Sequence, residues 1–217
     1  MNPVKTIPYK HCTINIYQDD DAPNPRTEHD NVGIMLCKHR DYILGDRERG
    51  EPEPTAEEII AITERDDVLW LPLYLYDHSG ITIKAGSPSA EWIDRRGRFV
   101  GDDAGWDTST VGIIYCTKAK AIEEWGKTRY TKAVERKAIA CLQGEVKEYA
   151  SYLEGDVCGY VAEDPDGEQI DACWGFFPDD REGYAKQWDY MIGEAKHAID
   201  YHVQTRTERA NEYAQLG

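Results

Sequence analysis

The chain has 217 residues, 41 of them acidic and 25 basic for a net charge of −16, and 41% are hydrophobic, with six Trp and fourteen Tyr. So much buriable aromatic surface excludes a disordered chain. The acidic excess disfavours direct binding of nucleic acid, which depends on Lys and Arg displacing counterions from phosphates, and favours a positively charged partner protein. The opening MNPVKTIPYKHC carries no long apolar segment, and no apolar run reaches the length of roughly eighteen residues that would span a membrane. A cytoplasmic protein is expected. No Pro/Ser/Gly-rich linker divides the chain, so a single α+β domain over residues 1–217 is the expectation.

Taken in order, HCTINIYQ (His11 to Gln18) alternates in the period of a half-buried strand with Cys12, Ile14 and Ile16 on one face. DDDAPNPR reads as a loop, because three adjacent carboxylates need water and Pro23 and Pro25 oppose regular structure. VGIMLC (Val32 to Cys37) is a short buried strand, and Ile43 to Thr55 is again loop. Thr55 with Glu58 forms the capping box of a helix through Ile59, Ile60 and Ile62. LWLPLYLY (Leu69 to Tyr76) is the most strand-like segment, followed by a turn at Asp77 to Gly80 and the short strand ITI. Residues 86–110 lack periodicity, which inside a compact fold marks a segment more often functional than incidental.

VGIIYC (Val111 to Cys116) is a further central strand, and Thr117 caps a helix carrying Ala121, Ile122 and Trp125. A helix from about Lys132 to Leu153 repeats Val134, Ala138, Leu142, Val146, Tyr149 and Leu153 at helical spacing, with Gly144 as a point where it divides and Gly155 as its C-terminal cap. Val157 to Phe177 is a hairpin turning at Asp164, Pro165, Asp166 and Gly167. The long C-terminal amphipathic helix carries Tyr184, Trp188, Met191, Ile192, Ala195, Ile199 and Val203 on one face. The class is α+β, with a mixed or antiparallel sheet and flanking helices.

No phosphate-cradling loop, dinucleotide fold turn, nucleophile elbow or zincin helix is present. Asp77, His78 and Ser79 have two readings: a polar turn ending in Gly80, which is preferred, and a catalytic site at the sheet rim. Adjacent residues of an extended strand point to opposite faces, so Asp77 orients His78 only if the turn bends the backbone. Asp107 precedes its strand as Asp77 precedes the ITI strand, and Asp77, His78 and Asp107 together define the alternative, a metal-assisted hydrolase or nucleotide-modifying enzyme. Asp171 and Cys173 share a face opposite Ala172 and Trp174, and Cys173 has no basic neighbour in sequence to activate it. His11, Cys12, Cys37 and His39 have the nearest approach to metal spacing, but core packing is preferred, all six cysteines are read as free thiols, and no metal or cofactor is expected. Trp92, Arg95, Arg96, Arg98 and Trp106, in the aperiodic segment, combine the two side-chain types that anchor protein interfaces and form the expected partner-binding set.

NVGIMLCKHRDYILGD, LPLYLYDHSGITI, GWDTSTVGIIYCTK, EVKEYASYLEGDVCGY and DACWGFF together resemble a poorly characterised group of accessory proteins carried by bacteriophages, prophages and plasmids. The resemblance runs from Asn31 to Phe177 and contributes no functional residues. It implies an accessory factor of a mobile element acting in the host cytoplasm on a host protein, a nucleic-acid-handling defence complex being the expected target and inhibition of the anti-CRISPR or anti-restriction type the expected action.

Overall fold

The computed structural model describes residues 2–77, 80–87, 108–177 and 184–216. The fold is α+β; the described residues form two four-stranded sheets that are antiparallel throughout and five helices. The chain divides into two compact units, one of Met1–Pro23 with Gly155–Gly217 and the other of Asn24–Glu154.

The first unit is a sheet of order β1-β2-β7-β8, from β1 (Lys5–Tyr9), β2 (Cys12–Gln18), β7 (Cys158–Glu163) and β8 (Gln169–Phe176). Alternation decides its two faces. Cys12, Ile14 and Ile16 of β2 stand beside Tyr160 and Ala162 of β7, and all are buried under Met191, Ala195 and Ile199 of α5 (Tyr184–Leu216). The part of the terminal stripe from Trp188 to Val203 is therefore the lid of this core. Strand β1 was not legible, because Pro8 interrupts a short run without clear alternation; it is an edge strand, where a missing N–H is tolerated. The β7–β8 turn closes as expected, with Gly167 N–H donating to the Asp164 carbonyl at 3.0 Å and Asp164 N–H to the Glu168 carbonyl at 2.9 Å.

The second unit is a sheet of order β3-β6-β4-β5, from β3 (Ile34–Cys37), β4 (Val68–Asp77), β5 (Ile81–Ala85) and β6 (Thr108–Thr117). Both strands expected to be central, β4 and β6, are internal. Helix α4 (Lys132–Glu154) lays Val134, Ala138, Leu142, Val146 and Tyr149 on one face of the sheet, and α2 (Ala56–Thr63) lays Ile59 against Ile113 on the other. Helix α3 (Lys118–Glu124) adds Ala121 to the larger core. The capping box of α2 is complete: Glu58 N–H donates to Thr55 Oγ1 at 3.2 Å and Thr55 N–H to Glu58 Oε2 at 2.7 Å. Thr117 caps α3 through the Lys120 N–H at 3.1 Å. Gly144 does not divide α4; it lies on the exposed side, where its propensity penalty of about 1 kcal/mol is outweighed by the burial of the opposite face. In the middle of β6, Gly112 has φ 155°, and a Cβ there would stand 1.9 Å from the Leu36 carbonyl oxygen. Only glycine allows β3 this close approach.

The expected loop after Asp21 contains instead a short helix, α1 (Pro25–Glu28), capped by Asn24 through the Arg26 N–H at 2.9 Å. It delivers Arg26 into the interior with its side chain fully buried. Nε donates to Asp46 Oδ1 at 2.7 Å, Nη1 to Asn31 Oδ1 and Glu145 Oε2 at 2.9 Å each, and Nη2 to the Gly33 carbonyl at 2.8 Å. Glu145 also accepts from the N–H groups of Val32 and Gly33, and Asp46 from that of Met35. One guanidinium thus ties the entry loop to α4 and to the loop beyond β3, with its acceptors supplied from three separate places in the sequence.

Candidate functional site

Asp77 closes β4 and pairs in register with Ile81, the first residue of the antiparallel β5. Its carboxylate is exposed and accepts a hydrogen bond from the Tyr42 hydroxyl at 3.2 Å. Burial and then the nearby Asp77 charge raise the Tyr42 phenol above its ordinary 10.0. The Tyr42 ring stacks on His39, centroids 4.9 Å apart, and His39 Nδ1 accepts from the Asp41 N–H at 3.1 Å. Thr108 pairs with Tyr76, so β6 starts beside the end of β4. His78 and Asp107, the other two members of the catalytic alternative, lie outside the described residues, as do Trp92, Arg95, Arg96, Arg98 and Trp106 of the expected partner-binding set.

The remaining sequence candidates separate. Cys12 is buried under α5 in the first unit, and Cys37 is buried in the core of the second. All six cysteines are free thiols, and no group of three His, Cys, Asp or Glu side chains among the described residues is arranged to hold a metal ion. Burial raises the thiols of Cys116 and Cys141 to about 11 and that of Cys37 further still, which makes them poor nucleophiles. Asp171 accepts from the buried Tyr160 hydroxyl at 2.5 Å and serves the α5-facing core.

A site the sequence did not single out lies on the other face of the first sheet. Trp174 of β8 is 43% exposed although it is the largest side chain of its strand. Its ring lies over Gly159 of β7, so closely that a Cβ on Gly159 would stand 2.3 Å from it, and Tyr17 of β2 flanks it with ring centroids 6.1 Å apart. The indole is thus held flat on the sheet by neighbours while its outer side faces solvent. Asp19 folds the following loop against it: Oδ2 accepts from the Gly175 N–H at 3.0 Å and Oδ1 from the Asp21 N–H at 3.3 Å. This leaves the exposed Asp20 and Asp21 beside a cavity of about 540 Å³ lined by Asp19, Asp20, Asp21, Pro23, Trp174 and Gly175. An aromatic face bordered by carboxylates attracts a Lys or Arg side chain twice, through the ring quadrupole and through charge. The sequence signal was available in the alternation that sets Trp174 apart from Asp171 and Cys173; the partner glycine across the strand pair was not.

No family model, curated protein or solved structure matches this chain. Among the described residues, no helix is long and apolar enough to cross a membrane.

Proposed function

We propose that this chain is an accessory protein of a phage or other mobile element that binds and modulates a host protein, acting as an anti-defence inhibitor of the anti-CRISPR or anti-restriction type through its acidic surface. The observation that carries the binding reading is the groove at Trp174: a preformed aromatic face bordered by Asp20 and Asp21 in a chain of net charge −16. Defence enzymes that handle nucleic acid present the complementary surface, rich in Lys and Arg, and an acidic protein is steered to it at a rate that falls with salt. The anti-defence target rests on the resemblance of the stretch from Asn31 to Phe177 to mobile-element proteins. The hydrolase alternative gains nothing further, since Asp77 is exposed and occupied by Tyr42.

The test is expression of the chain in cells carrying a restriction or CRISPR system, scored by the plating of a targeted phage, together with recovery of the tagged chain and its partner. Plating is expected to rise, and a component of the defence complex to co-purify at low salt. Trp174→Ala and the pair Asp20→Lys with Asp21→Lys should each abolish both effects, the Trp truncation by weakening the complex by at least about 2 kcal/mol, or some thirtyfold. Unchanged plating with no co-purifying defence component, or full activity in both variants, refutes the reading.

A further inference from the structure

Against the acidic background, residues 118–137 contain seven basic and three acidic residues, a net +4 in a chain of −16. Elsewhere most described cations are matched, as Lys10 is to Asp200, Lys38 to Glu53, Arg65 to Asp67 and Arg206 to Asp164. Within the segment, Lys132 pairs with Glu135, and Lys118 lies over the Tyr130 ring. Lys127, Arg129 and Lys137 have no carboxylate partner among the described residues, and the three line one cavity of about 180 Å³ together with Thr128, Thr131 and the buried Val134. Bringing like charges together is unfavourable. In a chain with 41 acidic residues a partner would be easy to supply, so the unpaired grouping is a specific feature of this surface.

The local backbone fixes it. The end of α3 is closed by Gly126 N–H to the Glu123 carbonyl and Lys127 N–H to the Ile122 carbonyl, both at 2.9 Å, which sets where Lys127 leaves the chain. Ala133 and Lys137 stand four residues apart on one side of α4, and Val134 anchors that turn in the core. Thr131 Oγ1 accepts from the Val134 N–H at 3.3 Å, and the hydroxyl retains its own O–H as a donor.

We infer that this cavity binds the phosphate group of a small phosphorylated molecule. Three cations more than offset the charge of about −2 that a phosphate ester carries near neutral pH, and the planar fork of Arg129 suits two of its oxygens. The small volume and the surrounding negative field select one phosphate group over a polyanion, whose other phosphates would meet acidic surface. The inference stands independently of the partner-binding groove, which belongs to the other unit.

The experiment is a calorimetric or NMR titration of the full chain with inorganic phosphate, a nucleoside 5′-monophosphate, the unphosphorylated nucleoside, sulfate and a short single-stranded oligonucleotide. Saturable one-to-one binding of phosphate and the monophosphate is expected, with none for the nucleoside and weaker binding of sulfate. Arg129→Gln and Lys137→Gln, both exposed substitutions with unchanged melting, should each weaken the monophosphate by about tenfold, the loss of one charge-assisted hydrogen bond. Arg49→Gln, which removes an exposed cation elsewhere, should not. Absence of saturable phosphate binding, equal binding of phosphate and sulfate, or equal behaviour of all three variants overturns the site. Tighter, steeply salt-dependent binding of the oligonucleotide overturns its assignment to a small molecule.

Discussion

Replacing Arg26 with Met is the sharpest test of how the second unit is held together. The side chain is fully buried and donates four hydrogen bonds, two of them to carboxylates. Met fills similar volume but leaves Glu145, whose side chain is 10% exposed, and Asp46, at 30%, without their cation. Breaking a buried ion pair from one side costs about 3–5 kcal/mol. The lower end applies here, because Glu145 keeps the Val32 and Gly33 N–H groups, Asp46 keeps that of Met35, and Asp46 retains contact with water. A loss of about 3 kcal/mol at a urea slope of about 2 kcal/mol per molar moves the midpoint down by roughly 1.5 M. The assay is urea denaturation followed by circular dichroism, with the slope of the second unit's transition unchanged. Adding Glu145→Gln to Arg26→Met removes the stranded charge, so the double variant should lose clearly less than the sum of the two single losses. A midpoint shift under about 0.5 M, or strictly additive losses, would show that the network is solvated and refute the reasoning.

Three further outcomes are expected. Gly112→Ala should lower stability by at least about 3 kcal/mol, read from thermal or urea unfolding, because the new methyl meets a backbone carbonyl that cannot rotate away; a loss under about 1 kcal/mol would mean that β3 shifts freely. Hydrogen bonds from the backbone of Glu168, opposed by burial and aided by the Asp166 N–H, Arg206 and His202, hold the Asp164 carboxyl below its ordinary 3.8. Its contribution is therefore present above that value and is lost as the pH falls through the lower folded value, so the protection of the Asp166 and Glu168 amides relative to their intrinsic exchange rate at each pH should fall only in acid, and protection already lost at neutral pH would contradict the assignment. Timed alkylation read by mass spectrometry should label the exposed Cys173 first and Cys37 last, since burial withholds both access and thiolate from Cys37; equal rates would refute the burial.

What the sequence revealed follows from how local each signal is. The capping box at Thr55 and Glu58, the Thr117 cap, the turn at Asp164 and the stripe from Trp188 to Val203 each need only a few neighbouring residues to be recognised, and each is present. Helix α1 was missed although Asn24 before Pro25 is a helix-start signal, because the run of three aspartates next to it reads as loop. The Arg26 network was invisible for another reason: Glu145 lies 119 residues away, and no periodicity links an arginine to a carboxylate that far along the chain. The same holds for the groove, where Trp174 depends on the absent side chain of Gly159 and on Asp19 holding Gly175 across 156 residues. Division of the strands between two sheets was equally hidden, since β2 finds its partner β7 only after the whole second unit has intervened.

That last pairing bears on the order of events during synthesis. The β1–β2 hairpin leaves the ribosome early, with Cys12, Ile14 and Ile16 facing the side that α5 will later cover and with the edge that awaits β7 still open. Helix α5 follows the second unit in the chain, so residues 24–154 are made before it. Within the first unit, Gln18 Nε2 donates to the Gly155 carbonyl at 2.7 Å and Asp19 N–H to that of Val157 at 2.8 Å, so the points where the chain leaves that unit and returns to it lie side by side. A folded insert replaces the closure of a loop of more than a hundred residues, which would otherwise oppose joining β2 to β7. A lesion that melts the insert therefore also slows the maturation of the sheet outside it, and prolongs the time during which an apolar hairpin with an unpaired edge is open to chaperones and to other nascent copies.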